Sequence, residues 1–297
     1  MILITGASGQ LGQDLITLCR AQGRDFAALA RPDFDFEKPD TVIASFSAAQ
    51  PTIVINAAAY TAVDKAETDQ DAARAGNHTG PRLLAELCAA ADIPFIHVST
   101  DYVFDGNKGA PYVETDPPNP TGIYGASKRA GEEAVLATGA KAVILRTAWV
   151  YAGHGKNFAR TMLNAGRKMP VLRVVADQRG TPTAAADLAA AILGIVDKIN
   201  QTGWQPGYQG IFHATNAGET TWHGFATAIF EEAARHGYES PEVQPITTAD
   251  WPTPTRRPPD SRLDCSRLTQ TFGVNLPDWR ASLGPIVAAL LALDAPG

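Results

Sequence analysis

Within its first twelve residues the chain passes from an apolar run, Met1 to Ile4, through Thr5 into three glycines spaced three apart: Gly6, Gly9 and Gly12. An apolar run that ends on small residues predicts a buried strand turning directly into a helix. Leu11, Leu15, Ile16 and Cys19 then share one helical face. Small residues at such a junction let the backbone approach a pyrophosphate, and the helix start supplies N–H donors and a partial positive charge. The spacing GxxGxxG departs from GxGxxG, and a tight strand–helix turn without a ligand satisfies it too. Its place at the first strand–helix junction favours a dinucleotide.

The same alternation continues. Apolar runs predict strands at Phe26–Ala30, Thr52–Asn56, Phe95–Val98 and Ala142–Arg146. Helical patterns fall at Pro39–Ala49, Val63–Ala73, Gly80–Ala91 and Ala126–Ala137. Continuous apolar strands alternating with helices specify a parallel sheet covered on both faces. The expected fold class is therefore α/β, a Rossmann-type doubly wound parallel sheet with a smaller α/β substrate domain. Beyond about residue 150 the alternation fades. Phe158–Arg167, Ala184–Asn200, Trp222–His236 and Trp279–Ala295 read as helices, and Val171–Val175 and Ile211–Ala214 as extended. We expect residues 1–150 to form the NAD(P)-binding domain and 151–297 mostly the substrate domain. Helix 184–200 is a candidate to return to the first.

Composition excludes several function classes. A net charge of −6 over 297 residues argues against a broad nucleic-acid surface or an anionic-membrane patch. Hydrophobic content of 45% leaves ample material for a core. The three cysteines have neither metal-type spacing nor the makings of a disulfide framework, which fits a reducing, cytoplasmic setting. No run approaches the roughly 18 apolar residues of a membrane span, and the N-terminal apolar run is too short for a signal peptide.

Tyr124 and Lys128 are four apart where the loop runs into the predicted helix Ala126–Ala137, and helical spacing would put their β-carbons about 5–6 Å from each other on one face. A unit charge about 4 Å away at an effective dielectric of about 20 is worth roughly 4 kcal/mol. At about 1.36 kcal/mol per pKa unit, that would draw a phenol from about 10 toward about 7 and make it a proton donor. The same spacing occurs by chance in many helices. Arg31 ends the second strand, where an adenosine ribose would lie. Arginine there accommodates a 2′-phosphate and favours NADPH, although an ordinary exposed arginine reads the same.

The glycine loop, Asn56-Ala57-Ala58-Ala59 and Tyr124-x-x-x-Lys128 together resemble the extended short-chain dehydrogenase/reductase superfamily. Five further blocks resemble its dTDP-4-dehydrorhamnose reductase family, from residue 1 to about 285: residues 56–67, 99–106, 146–153, 180–183 and 256–263. The resemblance implies reduction of the 4-keto group of dTDP-4-dehydro-L-rhamnose to dTDP-L-rhamnose, with NADPH as cofactor and NADH left open. It implies a catalytic triad of Thr100, Tyr124 and Lys128, with Ser99 as a competitor for the role of Thr100. Cofactor contacts carried over are Gly6, Gly9, Gln10, Leu11, Gly12, Arg31, Asp35, Phe36, Ala58, Ala59, Tyr60, Tyr124 and Lys128. Substrate contacts are Thr100, Asp101, Tyr102, Val103, Phe104, Trp149 and, for the diphosphate, Arg257. Asn77 matches a relay-water position or a helix N-cap. A structural Mg²⁺ is in doubt, since Asp14 fits one ligand position but Ala186 stands where another acid is expected. A homodimer is among the implied assemblies. Two other readings stay open: a nucleotide-sugar epimerase or dehydratase, which Asp101 beside Thr100 permits, and a non-catalytic subunit like the methionine adenosyltransferase β subunit.

Overall fold

The computed structural model describes residues 1–293. Six parallel strands form the central sheet: β1 Ile2–Thr5, β2 Phe26–Leu29, β3 Ile53–Asn56, β4 Pro94–Thr100, β5 Lys141–Thr147 and β6 Gly210–His213. Their order is β6-β5-β4-β3-β1-β2, so the winding reverses at β1. Thr5 of β1 pairs with Asn56 of β3 at this switch point. In open sheets of this kind a crevice forms there, outside the carboxyl ends of the strands.

Both faces of the sheet are covered, which is why β1 and β3 are buried at every position. On one face, α1 (Gln10–Ala21) packs through Leu11, Leu15 and Cys19 against the long helix Ala185–Thr202. On the other, α2 (Pro39–Ala49), α3 (Gly80–Ala90) and α4 (Ile123–Ala137) bury Val42, Phe46, Leu84, Cys88 and Val135 against the strands. The long helix Ala185–Thr202, α5, therefore returns to the first sheet, as does the second-half strand β6. A separate apolar core gathers helices Phe158–Gly166, Trp222–Ala234 and Trp279–Leu293 over the parallel pair Val171–Val175 and Glu242–Ile246. The closing helix predicted to Ala295 is described to Leu293; residues 294 and 295 lie outside the described residues. Among the described residues, no helix is long and apolar enough to cross a membrane.

Two predicted helices need correction. Val63–Ala73 is not one helix but a 3-10 turn Lys65–Glu67, a short helix Gln70–Arg74 and a wide π-type turn Ala75–Thr79. Two of its acids bond neighbouring segments: Asp64 accepts from Arg257 and Glu67 from Ile123. The second correction follows from the first. Glu67 Oε1 accepts the Ile123 N–H at 3.0 Å, supplying the cap that Gly122 lacks, and α4 begins three residues before Ala126. Tyr124 is thereby in the first turn of the helix that carries Lys128.

Candidate active site

A cleft of about 660 Å³ opens along the carboxyl ends of β1 to β5. Its floor is the glycine loop. Gly6 has φ +73°, and a Cβ there would lie 2.6 Å from the Ala57 carbonyl carbon and the Ala58 nitrogen. A Cβ on Gly12 would lie 2.1 Å from the Gly6 oxygen, so loop and helix touch backbone to backbone. Gly9 caps α1 with no side-chain hydrogen bond, which leaves first-turn N–H groups facing the cleft beside Gln10 and Leu11. Gln10 Oε1 is buried without a partner among the described residues. A shaped backbone cradle with spare donors fits a diphosphate. Asn56 holds the loops above it: its Oδ1 accepts from Thr5 Oγ1 at 2.5 Å and from the Ala58 N–H at 3.2 Å, and its Nδ2 meets His97 Nδ1 at 2.9 Å.

Ala58, Ala59 and Tyr60 line the same cleft, as do Arg31, Asp35 and Phe36 at its other end. Phe36 lies across Gly80, where a Cβ would meet its ring at 2.2 Å. Arg31 is exposed and stands 3.9 Å from Glu37, a cleft residue the sequence reading did not single out. Lys156 is another, on the loop after Tyr151 that also brings Gly155 up to Gln10.

Thr100, Tyr124 and Lys128 meet in the middle of the cleft. Thr100 Oγ1 donates to Asp101 Oδ1 at 3.0 Å, accepts from the Tyr102 N–H at 3.2 Å, and is the polar group beside the Tyr124 phenol. Ser99 is not a competitor, because its hydroxyl is committed to Glu132 at 2.5 Å. Lys128 Nζ donates to the Val98 carbonyl at 2.6 Å. The electrostatics depart from the expected acidified phenol. Burial pushes Tyr124 up to about 12, and it pushes Lys128 down to about 8 against the opposing pull of Glu132. Desolvation dominates for both groups and outweighs the attraction that spacing alone suggests.

Asp101, Tyr102 and Trp149 line the cleft as well. Burial raises Asp101 to about 6, against the opposing hydrogen bonds of Ser261 and Thr100. Tyr102 packs edge-on to Tyr124 with centroids 5.5 Å apart. Trp149 has φ +47°, a costly conformation for a large side chain. It is held by a stack on Trp222 at 3.5 Å and by Gly180, whose lack of a Cβ leaves room for the indole. Three expected substrate contacts are placed elsewhere. Val103 and Phe104 turn into a buried cluster with Tyr112 and Leu263, Phe104 stacking on Tyr112 at 4.1 Å. Arg257 pairs with Asp64 at 2.7 Å, behind Tyr102, whose ring it overlies. Asn77 is neither a cap nor on the cleft wall: it bridges the Tyr60 backbone to Ser127, at 3.0 Å in each bond.

Among the described residues no group of three metal-ligating side chains comes together. Asp14 is bonded to His154 Nε2 at 3.0 Å, and Asp187 accepts from Asn216 and Ser282. Asp14, the one acid that the resemblance matched to a metal ligand, is thus hydrogen-bonded within the chain. The sequence reading also missed Glu132, Arg146 and Trp222. An acid one turn beyond Lys128 and an arginine ending an apolar strand were the available signals for the first two.

The RmlD substrate binding domain family matches residues 1–292. The dTDP-4-dehydrorhamnose reductase of Sinorhizobium fredii is 42% identical over 293 residues, covering 98% of this chain and 97% of that protein. A Streptomyces antibioticus protein named "Probable dTDP-4,6-dihydroxy-2-methyloxan-3-one 4-ketoreductase" is 42% identical over 295 residues, covering 99% and 97%. The crystal structure of dTDP-4-dehydrorhamnose reductase from Bacillus anthracis in complex with NADP superposes with a TM-score of 0.88 at 33% identity, over 97% of this chain and 98% of that one. A shared fold, shared length and this level of identity leave one conclusion: the chain belongs to the dTDP-4-dehydrorhamnose reductase family, the family of the RmlD substrate binding domain.

Proposed function

We propose that the protein reduces the 4-keto group of dTDP-4-dehydro-L-rhamnose to a hydroxyl, giving dTDP-L-rhamnose, at the expense of NADPH. The observation that carries this reading is the meeting of Thr100, Tyr124 and Lys128 in a cleft that begins at the glycine cradle. Gly6, Gly9, Gln10, Leu11 and Gly12 hold the cofactor diphosphate. Arg31, Asp35 and Phe36 take its adenosine end, and Ala58, Ala59 and Tyr60 the adjoining ribose and phosphates.

When bound, NADPH supplies the hydride that reaches the carbonyl carbon. Tyr124, with its pKa near 12, is a neutral phenol and carries the proton the reaction needs. As negative charge builds on the ketone oxygen, Thr100 donates a hydrogen bond to it and Tyr124 gives up its proton. An alkoxide is more basic than a phenolate, so that transfer runs downhill. The ammonium of Lys128 balances the phenolate left behind and holds the nicotinamide ribose. Asp101, Tyr102 and Trp149 face the sugar.

The residues of 151–293 outside α5, β6 and helix Ser266–Phe272 make up the substrate domain, which reaches the cleft through Gly155, Lys156 and Asn157. The unpaired state of Cys19, Cys88 and Cys265 supports a cytoplasmic location, and a homodimer is the assembly we expect. NADH serves as an alternative donor, because the exposed Arg31 is the one arginine at the adenosine end of the cleft among the described residues. A second reading, an epimerase or dehydratase, draws support from Asp101, a carboxyl titrating near 6 beside the ketone. Mixing the protein with NADPH and dTDP-4-dehydro-L-rhamnose separates them. Stoichiometric loss of reduced-nicotinamide absorbance supports the reductase. Isomerised or dehydrated sugar with NADPH intact supports the second reading, and binding without chemistry supports a regulatory subunit.

A further inference from the structure

Ser99 and Arg146 are cross-strand partners on β4 and β5, and both reach one carboxylate that α4 lowers between them. Ser99 Oγ donates to Glu132 Oε1 at 2.5 Å, Arg146 Nε to Oε1 at 2.9 Å and Arg146 Nη2 to Oε2 at 2.6 Å. The side chains of Glu132 and Arg146 are 2% and 1% exposed. The next residues along the two strands, Thr100 and Thr147, are partners as well and face the cleft. Lys128 lies one turn before Glu132 on the buried face of α4. One carboxylate thus ties the helix of Tyr124 and Lys128 to the strand of Thr100. Stability is a poor reason for such a pair, since desolvation roughly offsets attraction and apolar replacements are often tolerated.

We propose that Glu132 is a positioning residue for the reduction: through Ser99 and Arg146 it sets α4 against β4 and places its carboxylate one turn beyond Lys128. This rests on the reading of Thr100, Tyr124 and Lys128 as the reducing triad. From its own helix Lys128 is faced by Glu132, with Tyr124 one turn before; from β4 it is faced by the Val98 carbonyl and by His97. Burial keeps His97 well below its usual range and Tyr124 above its own, so both are neutral near pH 7. Glu132 is the counter-charge that opposes the desolvation of Lys128.

The test compares the full-length wild type, Glu132→Gln, Arg146→Lys and the double variant Glu132→Leu/Arg146→Met, which leaves no buried charge unpaired. We expect the double variant to unfold cooperatively like the wild type. Its kcat should fall at least about tenfold, and the alkaline limb of kcat/KM against pH should move to lower pH by about one unit. Folded Glu132→Gln should show the same limb, and Arg146→Lys, which keeps the carboxylate and a cation, the wild-type limb. Lower activity with an unmoved limb in both Glu132 variants, or a moved limb in Arg146→Lys, overturns the proposal alone. A wild type that leaves NADPH unconsumed overturns the reductase reading first, and this inference with it.

Discussion

Lys128 anchors its ammonium on the carbonyl of Val98, 2.6 Å away on β4, and not on the phenol four residues before it. Helical spacing brings Tyr124 and Lys128 to one face, but hydrogen-bonding opportunity decides where the amine points. The phenol is left with burial as the main influence on its proton, and burial keeps it neutral. Ketone reduction needs that form.

Replacing the phenol removes the proton and little else. Tyr124→Phe should lower kcat by roughly 10²–10⁴-fold. The NADPH dissociation constant, measured by fluorescence titration, should stay within about threefold, a change under about 0.7 kcal/mol. Equal loss of turnover and binding would show that Tyr124 serves the fold.

Asp101 makes stability fall as pH rises, the reverse of the usual carboxylate. Its folded pKa of about 6 lies above the ordinary 3.8, so the folded state holds the proton more tightly. Its contribution is complete below pH 3.8 and is lost as pH climbs through 6. At about 1.36 kcal/mol per unit the loss is on the order of 3 kcal/mol. Asp101→Asn keeps an acceptor for Thr100 and should flatten this slope in urea unfolding at pH 4, 5, 6 and 7. An unchanged slope would assign the pH dependence to other groups.

Arg31→Ala should shift the ratio of kcat/KM for NADPH over NADH by about tenfold toward NADH, the scale of one charge-assisted hydrogen bond. Glu37→Gln should move it the other way, because Glu37 stands 3.9 Å from Arg31 and would repel a 2′-phosphate. If neither ratio moves, the adenosine end of the cofactor is not read at these residues.

Gly12→Ala places a methyl where the Gly6 oxygen lies, 2.1 Å away. The helix must retreat from the loop, and we expect a loss of about 2 kcal/mol in stability. NADPH binding should weaken at least about tenfold, or 1.4 kcal/mol. Wild-type stability and binding would show that the loop tolerates separation and that close approach is not its purpose.

The parallel sheet was legible because its strands are buried on both faces and read as unbroken apolar runs. The glycine cradle was legible because a Cβ is intolerable there, and Thr100, Tyr124 and Lys128 because short motifs mark them. What escaped depended on long-range partners. The start of α4 is set by Glu67, 56 residues away, which no local propensity encodes. Val103 and Phe104 follow Thr100 closely enough to be read as pocket residues. The 3-10 turn Asp101–Val103 instead directs them inward, onto Tyr112 and Leu263. Arg257 reads as a phosphate ligand until Asp64 is seen beside it. Trp222 supports Trp149 from a helix some 70 residues downstream, through a stacking contact that sequence does not announce. Arg146 and Glu132 pair deep in the protein across α4 and β5, a contact that neither segment announces by itself.

The most direct test follows the hydride. The protein is incubated with NADPH carrying deuterium at the transferable C4 position and with dTDP-4-dehydro-L-rhamnose, and the product is read by mass spectrometry and NMR. The account predicts a dTDP-6-deoxy sugar with one deuterium at its C4 and none elsewhere, formed in step with oxidised cofactor. Sugar altered without deuterium, while the labelled NADPH remains intact, would contradict it.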